Sequence, residues 1–153
     1  MMAHSQPLQE VLFVDDSEDE HLVSRLMMRR SKLAITYRPF QTVKDFEQAT
    51  SDYSYDDWRL ALVLFDLNLT LGSGIAALKS LKANNPDNVI IAGICTGSKD
   101  PKDRQDAFDA GANFFITKPF DIDALRTICD FVPELALHSN DEADGLQIIA
   151  THS

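Results

Sequence analysis

The chain has 153 residues, enough for one domain with a buried core and too few for two of ordinary size. Apolar residues make up 44% and charged residues 25%, and the net charge of −10 argues against charge-driven binding to nucleic acid or anionic lipid. The longest apolar runs, Leu60 to Phe65 and Val89 to Cys95, fall far short of the roughly 20 residues of a membrane span. With no basic-then-apolar leader at the N-terminus, a cytoplasmic protein is expected.

In chain order, residues 1–9 read as an N-terminal tail. Val11 to Val14 is a buried-strand run, ended by Asp15-Asp16. Ser17-Glu18-Asp19-Glu20 reads as a capping box. It opens a helix with Leu22, Val23, Leu26 and Met27 as its apolar side and Arg29, Arg30 and Lys32 at its end. Leu33 to Tyr37 is expected to be a second strand. Thr42 caps a short helix with Val43, Phe46 and Ala49, and Thr50 to Trp58 reads as a long loop. Leu60 to Phe65 is the third strand, and Gly72-Ser73-Gly74 is a turn. Ile75, Leu78 and Leu81 mark a helix that stops before Pro86. Val89 to Cys95 is the fourth strand. Pro101 suits the first turn of the next helix and Gly111 its C-terminal cap. Asn113 to Thr117 is the fifth strand. Asp121 caps a last helix with Ile122, Leu125, Ile128 and Val132 inward, ended by Pro133. Residues 134–153 read as a C-terminal tail with freedom to move.

Five strands alternating with five helices predict an α/β fold, a doubly wound five-stranded parallel sheet with helices on both faces. The two cysteines, Cys95 and Cys129, lie in apolar surroundings and read as small hydrophobes. The histidines, His4, His21, His138 and His152, lack any ligand spacing and read as surface residues.

In an open parallel sheet the site lies outside the carboxyl ends of the strands. The residues that follow the apolar runs there are Asp15 and Asp16, then Asp66 and Asn68, then Thr96 to Ser98, then Lys118 and Pro119. In the flavodoxin-like strand order, 2-1-3-4-5, they converge on one cleft. Singly, each has a plain reading as a helix cap or surface residue. Jointly they do not. Carboxylates about 4 Å apart repel by about 4 kcal/mol per pair at an effective dielectric near 20. A hard cation such as Mg²⁺ relieves that repulsion. The assembly therefore suits a cation plus a phosphate-like anion, with a carboxylate able to attack phosphorus.

The segments VLFVDD, LVLFDLN, GICTGS and FFITKPF, within residues 10–133, resemble the receiver domain of two-component response regulators. The resemblance implies that Asp66 is the phosphoacceptor, with Thr96 and Lys118 holding the phosphoryl oxygens. It implies Mg²⁺ held by Asp16, Asp66 and the backbone carbonyl of Asn68, with Asp15 acting through water. Thr96 and Phe115 would form the switch, acting on the face of the fourth helix, fifth strand and fifth helix. The Lys118-Pro119 peptide would be cis, and Ser98 would flank the path of attacking water. Thr70 stands where the family often has proline, and Gly97 where it often has alanine.

The implied function is a single-domain, chemotaxis-type response regulator of a phosphorelay that catalyses only its own phosphorylation and dephosphorylation. Its implied partners are a sensor histidine kinase or phosphotransfer domain and an unidentified downstream protein, with no membrane or nucleic acid and with homodimerisation open. Two rivals stand beside this. A haloacid-dehalogenase-like phosphatase would use the DxDxT loop that Asp66 to Thr70 resembles, but Asn68 replaces its general acid, and an amide cannot transfer that proton. The other is a receiver-like binding module that is never phosphorylated.

Overall fold

The computed structural model describes residues 4–87, 89–140 and 145–152, with the backbone alone for His4, Asn140 and His152. The remaining parts of the expected tails, 1–3, 141–144 and 153, lie outside the described residues. The strands are β1 (His4–Pro7), β2 (Glu10–Val14), β3 (Thr36–Phe40), β4 (Ala61–Phe65), β5 (Asn68–Leu69), β6 (Gly72–Ser73), β7 (Ile91–Thr96), β8 (Phe114–Thr117), β9 (Leu135–Asn140) and β10 (Gly145–His152). The helices are α1 (Glu18–Arg30), α2 (Val43–Ala49), α3 (Tyr55–Arg59), α4 (Gly74–Asn84), α5 (Pro101–Asp109) and α6 (Ile122–Phe131).

The central sheet is parallel, with the order β3-β2-β4-β7-β8, and this is the doubly wound, flavodoxin-like arrangement expected. Every residue of β4 and β7 is buried, as strands covered on both faces require. On one face, Val11, Phe13, Leu62, Leu64 and Phe114 pack with Met28 of α1 and Leu125 and Ile128 of α6. On the other, Leu12, Val14, Val63, Phe65 and Phe115 pack with Phe46 of α2, Trp58 of α3, Leu78 of α4 and Ala107 of α5. Side-chain caps start the helices: Ser17 accepts from Glu20 N, Thr42 from Asp45 N, and Asp121 from Ala124 N. Gly111, with φ of 105°, takes the left-handed turn after α5 that its position predicts.

Four expectations need correction. The second strand runs over Thr36–Phe40 rather than 33–37, because residues 33–35 turn off α1 and Ala34 N donates to Leu146 O. The stretch 50–58 is not all loop. Ser54 and Asp57 form a capping box that opens α3, which buries Trp58. The stretch is also pinned to the sheet, where the Tyr53 hydroxyl accepts from Arg38 at 2.5 Å and donates to Glu10. Burial, with Glu10 alongside, pushes that hydroxyl up to about 12.

The inward face of α1 is His21, Ser24 and Met28, while Leu22, Val23 and Leu26 face solvent at 58%, 37% and 44% exposure. His21 is therefore buried, not a surface residue. Its Nε2 lies 2.7 Å from the Asp15 carbonyl and its Nδ1 lies 2.7 Å from the Tyr37 hydroxyl. Fourth, the expected tails are folded where described. β1, β10 and β9 make an antiparallel sheet that places Leu135, Ile148 and Ala150 in the core beside α6. Cys95 is buried and Cys129 half-buried, both as free thiols.

Candidate functional site

The site residues leave the sheet where its ladder ends. Val14 is the last residue of β2 paired with Phe65 of β4, and Asp66 N donates to Val14 O at 2.9 Å. Asp15 N donates to Phe40 O at 2.9 Å, and Lys118 N donates to Thr96 O at 2.9 Å. These backbone bonds fix where the side chains start, so their convergence follows from strand order and register.

Asp15, Asp16 and Asp66 each offer an oxygen within 4.8 Å of the others. Lys118 Nζ lies 2.8 Å from Asp15 Oδ2 and 3.3 Å from Asp66 Oδ1. Asp15 is fully buried, and its Oδ1 accepts from Ser17 N at 2.9 Å, so the lysine and the start of α1 share its charge. Asp66 is mostly buried and Asp16 exposed. Burial first, and the Asp15 charge second, raise the Asp66 carboxyl above its ordinary value, outweighing the opposing pull of Lys118. Burial works against the charge on Lys118, but its hydrogen bond to Asp15 and the two carboxylates win, and its pKa is raised. The set consists of hard oxygen donors with a surplus of negative charge, and it suits a small divalent cation of the Mg²⁺ type.

The other sequence candidates fall on β5, β7, β8 and the segments that follow them. Thr96 ends β7, is 2% exposed, and accepts from Ser98 N at 3.2 Å, which leaves its hydroxyl proton free to donate elsewhere. The Ser98 hydroxyl donates to Asp103 Oδ2 at 2.5 Å. Asn68 lies on β5, paired with Ser73 of β6 in a short ribbon after Asp66. Phe115 is in β8 and is buried, packed with the α5 side of the core. The Lys118-Pro119 peptide is cis, as the resemblance implies.

Three contributors escaped the sequence reading. Gly74 was read only as part of a turn, yet a Cβ there would lie 1.9 Å from the Asp66 carbonyl oxygen, so only glycine lets α4 start against the site. Thr70 was noted only as a departure, but its backbone N–H donates to Asp16 Oδ2 at 3.0 Å and its hydroxyl donates to the same oxygen. His21 binds the Asp15 carbonyl. The signal for His21 was its place three and seven residues before Ser24 and Met28, on one helical face.

A family model described as the response regulator receiver domain matches residues 11–130. The response regulator protein PilR of Pseudomonas aeruginosa is 29% identical over 120 residues, covering 78% of this chain and 25% of PilR. The chain thus spans about a quarter of that relative's length. Among solved structures, the chemotaxis response regulator CheY4 of Vibrio cholerae has a TM-score of 0.65 at 17% identity, with 82% of this chain and 99% of that one covered. The receiver domain of Ssk1 from Saccharomyces cerevisiae, solved with the histidine phosphotransfer signalling protein Ypd1, also has a TM-score of 0.65, at 24% identity, covering 82% of this chain and 89% of that one. The match over residues 11–130, on a sheet of this order with its acidic cluster at the strand ends, makes the chain a member of the response regulator receiver domain family.

Proposed function

We propose that this chain accepts a phosphoryl group on Asp66 from a phosphohistidine of a sensor kinase or phosphotransfer domain, and signals through the resulting change of shape. The observation that carries this reading is the Lys118 ammonium set 2.8 Å from buried Asp15 and 3.3 Å from Asp66, with Asp16 in the same cluster. Lys118 is held by Asp15 and so stands ready to meet an anion arriving at Asp66.

An Asp66 carboxylate oxygen attacks phosphorus in line. The N–P bond breaks, its electron pair returns to the imidazole nitrogen, and that nitrogen takes up a proton from solvent. Mg²⁺ held by Asp16, Asp66 and the Asn68 carbonyl, with Asp15 reached through water, would neutralise charge on the transferring oxygens. Lys118 pairs with one phosphoryl oxygen, and the Thr96 hydroxyl donates to another. Ser98, tied to Asp103, flanks the path by which water later attacks the acyl phosphate. As Thr96 moves toward the phosphoryl group, the packing around Phe115, whose ring is already buried, readjusts, and the surface of α5, β8 and α6 changes with it.

The phosphodonor docks beside the cluster, on the apolar side chains Leu22, Val23 and Leu26 that α1 leaves in solvent. The complex of the Ssk1 receiver with a histidine phosphotransfer protein supports a partner of that class. Among the described residues no helix is long and apolar enough to cross a membrane. The cytoplasm is the compartment we assign.

Beryllium fluoride, which mimics an acyl phosphate, tests the reading. With Mg²⁺ present it should raise the melting temperature of the wild-type chain beyond the rise given by Mg²⁺ alone, and leave Asp66→Asn unmoved. The reading is wrong if the mimic has no effect on the wild type or the same effect on Asp66→Asn.

A further inference from the structure

The geometry points to Thr70 as a positioning residue that holds Asp16 in the carboxylate cluster and so sets how tightly the site takes Mg²⁺. This rests on the reading of the cluster as a Mg²⁺-assisted phosphoacceptor site. Asp16 is the exposed member of the cluster, while Asp15 is fully buried and Asp66 is 7% exposed. An exposed carboxylate beside two others gains by rotating outward, because like charges repel and water solvates it there. Thr70 opposes that rotation. Its backbone N–H donates to Asp16 Oδ2 at 3.0 Å, and its hydroxyl donates to the same oxygen. Both bonds fall on Oδ2, which leaves Oδ1 for a cation.

Residue identity matters here because Thr70 supplies two donors to one oxygen. A proline has neither an N–H nor a hydroxyl, so it can make neither bond. Thr70 lies in the turn that joins β5 to β6 in the ribbon after Asp66, and the clasp ties that turn to the start of α1 across the mouth of the site. A cation arriving at the cluster then meets Asp16 already in place, and binding need not order it. The opposite reading makes Thr70 a competitor that must release Oδ2 before a cation binds. The two readings differ in sign.

The test is Mg²⁺ titration of the wild type, Thr70→Ser, Thr70→Val and Thr70→Pro by calorimetry, with the metal-free melting temperature measured alongside. Thr70→Ser keeps both donors and should bind like the wild type. Thr70→Val keeps only the N–H, and its Kd for Mg²⁺ should rise roughly threefold to tenfold, since a hydrogen bond to a charged group is lost. Thr70→Pro should weaken binding further. If proline disturbs the loop, Thr70→Val against Thr70→Ser carries the test. Phosphorylation of Thr70→Val by acetyl phosphate should slow at low Mg²⁺ and recover at saturating Mg²⁺, a split that general loosening of the fold does not give. Tighter or unchanged Mg²⁺ binding by Thr70→Val overturns the proposal while the site assignment stands. A wild type that binds no Mg²⁺ overturns both.

Discussion

Asp15 carries its charge without exposure to water, and Lys118 and the Ser17 N–H are what make that tenable. Asp66 is less well compensated, because burial and Asp15 together outweigh the lysine and raise its pKa. The sign has a consequence for stability. A carboxyl whose folded value lies above its unfolded value opposes folding at neutral pH, and that penalty is relieved as pH falls through the raised value. Without Mg²⁺, Asp66→Asn should therefore be more stable than the wild type at pH 7, and the gap should narrow on acidification toward and below that value. Urea midpoints across a pH series check this, and a less stable Asp66→Asn at pH 7 would contradict it. At this scale the carboxylate–lysine cluster was legible, because Asp15, Asp16, Asp66 and Lys118 all follow apolar runs. Thr70 and Gly74 were not, because their parts depend on a hydrogen bond and a close approach that spacing does not encode. His21 was misread because an apolar period ignores a polar side chain whose partners, the Asp15 carbonyl and Tyr37, lie inside.

Among the elements, α1 shows why a periodic pattern can point the wrong way. Leu22, Val23 and Leu26 are the more apolar side, yet the face against the sheet is His21, Ser24 and Met28. One face of this helix packs on the core, and the proposed docking role falls to the other, solvent-facing one. Leu26→Ser should accordingly change stability by no more than about 0.5 kcal/mol, as is usual at exposed sites. It should slow phosphoryl transfer from a histidine-bearing protein while leaving transfer from acetyl phosphate intact. Equal slowing with both donors would remove the docking role. The part of β1 in the added sheet was invisible because its partner is far away in sequence: His4 pairs with His152 and Pro7 with Ile149. The sheet's apolar patch, residues 146–150, looked like tail until Leu135 and Ile148 are seen in the core. Ile148 is 1% exposed, so Ile148→Ala should cost about 2–5 kcal/mol, read from urea unfolding. A cost near zero would mean that this sheet is not held against the receiver core.

At the scale of the whole molecule, the parallel sheet was legible because fully buried strands read as continuous apolar runs alternating with helices, while its order, taken as the flavodoxin-like one, is β3-β2-β4-β7-β8 as that arrangement requires. That order alone brings residues 15, 66, 96 and 118 to one rim. Register then does the rest, setting Asp66 against Val14 and Lys118 against Thr96 through backbone bonds of 2.9 Å. A cluster so placed joins two faces of the molecule. α1 is the face proposed for the donor, and α5, β8 and α6 the face proposed for the response, with Phe115 packed in the core on the α5 side. All of this depends on Asp66 being the group that is modified. Incubation with acetyl phosphate and Mg²⁺, followed by borohydride reduction and peptide mass mapping, measures that directly. The account predicts a single acid-stable, base-labile phosphoryl group on Asp66, absent from Asp66→Asn. Label on Ser73, Thr96 or Ser98, or no label on the wild type, would contradict it.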